Sequence, residues 1–190
     1  MWTRDPENDF LILIMPSDQT FIYTDRLGKR WVDEMRIGSP HNGWHAFTHF
    51  SDEICDYDHC PSWCVFDQTL FESGPMSTRQ ATGSNAGTSP PCCPTSCAIG
   101  KAGRTTTRPR WTSWIIKADT LEELAAKMKA IDKWMDADTL KATVDTWNQV
   151  CENGEDPEFH RSAATLNPLN NPPFYAYTVY PARAPRWAAP

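Results

Sequence analysis

Apolar residues run unbroken or alternate in the first part of the chain and recur with a helical period in the last. The stretch between them does neither. Phe10-Leu-Ile-Leu-Ile-Met15 is the longest apolar run, and its length suits a buried strand. Pro16-Ser-Asp18 marks a turn. Thr20 to Thr24 then predicts a strand with Phe21 and Tyr23 on one face and Ile22 on the other. Asp25-Arg-Leu-Gly28 is a reverse turn in which Gly28 is free to take positive φ. Lys29 to Asp33 is therefore expected to return as the second strand of a hairpin. Trp63-Cys-Val-Phe66 predicts another short strand, ended by Asp67.

From Gly74 onward the hydrophobic period vanishes into Ser, Thr, Pro, Gly and Cys, as in Ser84-Asn-Ala-Gly-Thr-Ser-Pro-Pro91. Such a composition buries too little apolar surface to offset the entropy of ordering, so a disordered loop is expected. Order resumes at Trp114-Ile-Ile116, a short strand. Thr120-Leu-Glu-Glu123 then reads as a capping box ahead of a helix with Leu121, Leu124, Ala125 and Met128 on one face. A second helix, with Asp138 as N-cap candidate, buries Leu140, Val144, Trp147 and Cys151 and stops at Asn153-Gly154. The short link between them makes an αα-hairpin. Proline then sets an extended arm through Leu166-Asn-Pro-Leu169 and Asn171-Pro-Pro173, and Phe174 to Tyr180 is a last aromatic strand.

The expected fold class is α+β, a small mixed or antiparallel sheet flanked by the αα-hairpin. Four zones follow: 1–73, the loop 74–113, the helical part with its return strand 114–181, and an atypical tail 182–190. The tail and the loop share one flavour, unlike the zones around them, as out-of-frame or mis-spliced sequence would.

Composition narrows the partners. The formal charge of −6 speaks against nucleic acid, because only Arg104 to Arg110 forms a basic patch. No run approaches the ~20 apolar residues of a membrane span, and the first apolar run lacks a signal peptide's basic leader. Seven cysteines without such a signal read as reduced thiols of a cytosolic protein.

Six segments, in order, bear a resemblance to one family. They are Gly28-Lys-Arg-Trp-Val-Asp-Glu34, Pro61-Ser-Trp-Cys-Val-Phe-Asp67, Trp114-Ile-Ile-Lys-Ala-Asp-Thr-Leu-Glu-Glu-Leu-Ala126, Leu140-Lys-Ala-Thr-Val-Asp-Thr-Trp-Asn148, Gly154-Glu-Asp-Pro-Glu-Phe159 and Pro172-Pro-Phe-Tyr-Ala176. Together they resemble the fumarate reductase/3-ketosteroid dehydrogenase family of FAD-dependent oxidoreductases. The resemblance implies a capping domain, which closes over the flavin ring and supplies part of the site for a small organic substrate. It implies hydride transfer through the flavin in a full-length enzyme, and the remainder of a flavin-binding domain as partner. The dinucleotide fingerprint G-x-G-x-x-G is missing from this sequence, as is the glycine-rich segment that follows the family's return strand. FAD binding and activity by this chain alone are accordingly not expected.

Four residues after the glutamate matching Glu34, the family's reductases carry a proton-donating arginine and its ketosteroid dehydrogenases a tyrosine. Here that position is Gly38, which has no side chain to offer, and the reductases' later histidine falls at about Ala184. His41 and Arg36 are the nearest acid/base replacements; an imidazole titrates near neutrality, whereas a guanidinium normally stays charged. Arg30 and Glu34 point to one face, either holding the hairpin or lining the flavin side.

A competing class is a non-catalytic remnant or interaction module stabilised by zinc. His41, His45 and His49 recur every four residues, His59 stands beside Cys55, Cys60 and Cys64, and Cys92, Cys93 and Cys97 come later. Paired C-x₂-C spacing is absent, and Pro40 and Gly43 interrupt the helix that would align the histidines, so no metal ligand is assigned. Nothing marks a Cys–His nucleophile with a positioned base.

Overall fold

The computed structural model describes residues 2–5, 10–13, 16, 18–37, 46–73 and 115–181. Strands β1 (Trp2–Asp5) and β2 (Phe10–Leu13) pair antiparallel as a hairpin of their own. The main sheet is built from β3 (Phe21–Thr24), β6 (Ser62–Asp67), β7 (Ile116–Ala118) and β8 (Phe174–Val179), in the order β3-β6-β8-β7 with every pair antiparallel. Between β3 and β6 lies a two-residue ladder, β4 (Phe50–Ser51) against β5 (Asp56–Tyr57). Helices α1 (Gln68–Ser73), α2 (Leu121–Lys129) and α3 (Ala137–Asn153) and a 3-10 turn at Ala163–Thr165 also lie among the described residues. The architecture is a small α+β domain with an antiparallel sheet and an αα-hairpin.

Both faces of the sheet are covered, which is why its central strands read as continuous apolar runs rather than alternating ones. Phe21, Tyr23, Cys64, Phe66, Tyr175 and Tyr177 fill one face, under Ile37, Phe47 and Leu70. Ile22, Trp63, Val65 and Ala176 fill the other, against Leu124, Met128, Leu140, Val144 and Trp147 of the two long helices. The alternation expected for Phe21, Ile22 and Tyr23 is thus present, but each side has its own core.

The long helices begin and end on local chemistry. Thr120 Oγ1 accepts the Glu123 N–H at 3.2 Å. The reciprocal half of the capping box is displaced by one residue, since Glu123 Oε2 accepts from the Asp119 N–H at 3.1 Å. The N-cap of α3 is Asp136, not Asp138: the extended backbone at Asp136 lets its carboxylate take the Thr139 N–H at 2.9 Å. Asp138 lies in the first turn, where its charge suits the positive helix end. Gly154 closes α3 with φ of 72°.

Two expected strands differ in extent. The strand expected at Trp114 to Ile116 is seen as Ile116–Ala118, and Trp114 itself lies outside the described residues. Lys29 to Asp33 does not form a strand; a single bridge, Thr24 to Arg30, is all that remains of the ladder. The cause is at the edge of β3, where the Glu34 carboxylate accepts the Tyr23 N–H that a strand partner would have taken. The loop 74–113, expected to be disordered, and the atypical tail 182–190 both lie outside the described residues.

The turn before that bridge meets α3. Gly28 has φ of +96°, and a Cβ there would lie 3.1 Å from the Leu140 backbone nitrogen and 3.3 Å from the Asp136 carbonyl oxygen. Gly28→Ala should therefore combine left-handed strain with a backbone clash and cost about 2–4 kcal/mol. An unfolding free energy, from urea titration, within about 0.5 kcal/mol of the parent would refute this account of the turn.

Candidate functional site

Arg30 and Glu34 do meet on one side of the turn, but in a closed ion network rather than at a free surface. Arg30 Nε donates to Glu34 Oε1 at 2.9 Å and a terminal nitrogen donates to Oε2 at 3.0 Å. The same guanidinium reaches Asp156 Oδ2 at 2.8 Å. Arg161 donates to Glu34 Oε2 at 3.0 Å and to the Phe21 carbonyl at 2.8 Å, and it also bonds the Gln19 and Thr165 carbonyls. Two positive and two negative charges balance, which is the condition under which buried ions are tolerated. Trp147 and Phe159 seal the group: the Arg30 guanidinium carbon lies 4.6 Å and 4.8 Å from their ring centres.

Burial opposes ionisation of Asp156, but the Arg30 guanidinium and the N–H groups of Phe159 and Arg161 outweigh it and hold the pKa below its ordinary value. Asp156 and Arg161 were not singled out from the sequence as site residues. One signal was available: no charged residue follows Arg161 until Arg183, so a lone cation enters a strand-forming arm.

Arg36 stands apart. Its side chain is 78% exposed and pairs with the Asp33 carboxylate at 3.3 Å. His41, Gly38 and Ala184 lie outside the described residues.

A second cluster lies at the open end of the β4–β5 ladder. Phe50 pairs with Tyr57 and Ser51 with Asp56, so one further step sets His49 opposite Asp58. His49 Nδ1 is 2.8 Å and 3.0 Å from the two Asp58 oxygens. His59 Nε2 faces Asp58 Oδ1 at 3.6 Å, while its Nδ1 lies 2.7 Å from the Ala46 carbonyl. The His59 ring is stacked between Trp31, with centroids 4.1 Å apart, and His49, at 5.0 Å. Burial pushes the His59 pKa down.

The described cysteines, Cys55, Cys60, Cys64 and Cys151, are free. None belongs to the His49–Asp58–His59 group, and burial raises the Cys60 and Cys151 thiols to about 11. His41, His45 and Cys92 to Cys97 of the zinc alternative lie outside the described residues.

Neither glycine among the described residues offers a cradle for a flavin. A cradle for its pyrophosphate needs glycines whose bare backbone meets phosphate. Gly28 instead meets the backbone of α3, and Gly154 ends a helix. The polar atoms of Arg30 and Glu34 are occupied within the chain.

Over 180 residues, 94% of its length, the chain is 28% identical to the NADH:acrylate oxidoreductase of Vibrio harveyi, of which it covers 14%. Over 66 residues it is 34% identical to the vinyl phenol reductase of Lactiplantibacillus plantarum, covering 35% of this chain and 12% of that protein. It therefore spans a small part of the curated relatives it matches. Among solved structures, it resembles 3-ketosteroid Δ1-dehydrogenase from Sterolibacterium denitrificans, with a TM-score of 0.61 and 20% identity over 95% of this chain and 31% of that one. It also resembles the open conformation of a flavocytochrome c3 fumarate reductase, with a TM-score of 0.57 and 18% identity over 94% and 24% of the two chains. No family model matches. No helix among the described residues is long and apolar enough to cross a membrane.

Glu34→Gln should leave two buried guanidinium groups facing one carboxylate and cost about 3–5 kcal/mol. Arg36→Ala, in solvent, should change stability by less than about 0.5 kcal/mol. Equal effects of the two in urea unfolding would contradict the placement. The pH dependence has a defined sign: because Asp156 titrates lower when folded, its contribution is present above about pH 4 and is lost on acidification through its folded pKa. Asp156→Asn should therefore be least stable relative to the parent near neutrality, the gap narrowing in acid; a gap that does not change with pH would disprove this linkage.

Proposed function

We propose, for a chain whose homologues and structural neighbours are fumarate reductase/ketosteroid dehydrogenase-type flavoproteins, that it is the substrate-capping region of an FAD-dependent oxidoreductase and is inactive alone. The observation that carries this reading is the fold shared over 95% of the chain with under a third of a 3-ketosteroid Δ1-dehydrogenase. In this reading 1–73 and 114–181 form the cap around the loop 74–113, and 182–190 stands outside it. The partners are a small organic substrate and the remainder of a flavin-binding domain.

Within that frame the ion quartet has a mechanical role. It locks the turn after β3 to the arm that follows α3, so the segment carrying Arg36 and His41 leaves from a rigid base. Arg36 and His41 are the groups proposed to hold or move a proton for the substrate. Of the two, an imidazole is the group suited to proton exchange near neutrality. Arg30 and Glu34 serve this segment by position, and their ion pairs leave the flavin to other parts of a longer protein.

The test is the colour and flavin content of the purified chain. A colourless protein from which added FAD dialyses freely is expected. One tightly held FAD per chain, with a flavin visible spectrum, would overturn the proposal.

A further inference from the structure

Three features stood outside the proposed function: the exposed side chains of Phe50 and Ile131, the Arg26 contacts to Asp56 and Asp132, and the cluster at the mouth of the β4–β5 ladder. The first two have ordinary explanations, as scattered apolar exposure and as a half-buried ion pair network whose groups already satisfy one another. The third has an unanswered electrostatic demand.

The Ala46 carbonyl can only accept a hydrogen bond, so the His59 Nδ1 opposite it at 2.7 Å must carry the proton. In the neutral ring that leaves Nε2 as a bare lone pair, and it faces the Asp58 carboxylate at 3.6 Å. Two acceptors aimed at each other repel unless a positive centre lies between them. His49, whose ring stacks on His59, adds a third ligand atom beside the same carboxylate. The ring N–H bonded to a backbone carbonyl is also the support that orients metal-bound histidines.

We propose that His49, Asp58 and His59 bind one divalent transition-metal ion of the zinc type, through two imidazole nitrogens and one carboxylate. Their ligand atoms all lie within 4.8 Å of one another. Bonds of about 2.0–2.1 Å in a tetrahedron require ligand atoms about 3.3 Å apart, so the group needs little adjustment to close on an ion. Two imidazoles favour zinc-like ions over magnesium or calcium, which take oxygen ligands. The His49 side chain is 59% exposed, so the site faces water and has an entry path. In the metal-free chain the His49 Nδ1–H can donate to Asp58; on binding, Nδ1 gives up that proton, and the other ring nitrogen can carry one in its place. The ion would tie the two strands of the ladder together at its open end, and, through the His59 stack, to Trp31.

Calorimetric titration of the full chain with zinc chloride, alongside thermal melts, tests this. One zinc per chain and a raised melting temperature are expected, with magnesium giving neither. His49→Ala removes an exposed ligand, and His59→Phe keeps the aromatic stack while removing the lone pair. Each should weaken zinc binding at least tenfold, while Cys55→Ser, the exposed thiol nearby in sequence, should leave it unchanged. Cobalt loading should give visible d–d bands without thiolate charge transfer. Absence of stoichiometric zinc binding overturns the proposal. So does binding that survives both histidine variants in folded protein, or a cobalt spectrum showing thiolate ligation.

Discussion

Strand β3 lies at the edge of the main sheet, where a row of backbone groups has no neighbouring strand to receive it. The chain meets that demand with side chains. Glu34 takes the Tyr23 N–H, and Arg161 covers the Phe21 carbonyl from 140 residues away. Once those two groups are committed, Arg30 and Asp156 are required to balance and saturate them. The turn after β3, the end of α3 and the arm beyond it are thereby held to one sheet edge by a single charge-neutral network. Closing the edge with ions instead of another strand also blocks strand addition by a second chain, because the outer hydrogen bonds are already used.

This solution explains why the hairpin expected at Lys29 to Asp33 reduces to one bridge. A strand there would compete with Glu34 for the Tyr23 N–H, and the charge-assisted bond within a buried network is the stronger claim on it. Local propensity could not register the competition, since half of the network arrives from Asp156 and Arg161. By contrast, β3, β6 and β8, the two long helices and the glycine that ends α3 were legible because their causes are local: period, capping and left-handed backbone. Even there the caps moved by a residue or two. Asp136 and Asp138 differ in nothing that a sequence shows; only the extended backbone at Asp136 chooses between them.

The histidines teach the complementary lesson. Read as a series, His41, His45 and His49 have a spacing that would line one helix face, and of the three His49 alone lies among the described residues. His49 precedes a two-residue strand, and its partner is set by the antiparallel register of that strand with Asp56 and Tyr57. So short a ladder carries almost no hydrophobic signal, which is why Asp58 passed unremarked. Four residues, Asp52 to Cys55, make the turn, with Cys55 at φ of 51°. The aromatic pair Phe50 and Tyr57 flanking those turn residues is the signal in the sequence for this pairing.

The two clusters also divide charge in different ways, and the difference bears on what each can do. In the ion quartet every carboxylate oxygen has a guanidinium or N–H partner, and the Glu34 and Arg161 side chains have no exposed surface. Nothing further can bind there without breaking a bond that already exists, so the quartet suits rigidity. At His49, Asp58 and His59 the carboxylate is shared between imidazoles that are not obliged to be charged, and one of them faces solvent. An incompletely compensated group beside water is one that can exchange a proton or accept a cation. Rigid support on one edge of β3 and an adaptable group beyond its turn are therefore consequences of the same rule, that a buried charge must be matched, applied once to completion and once in part.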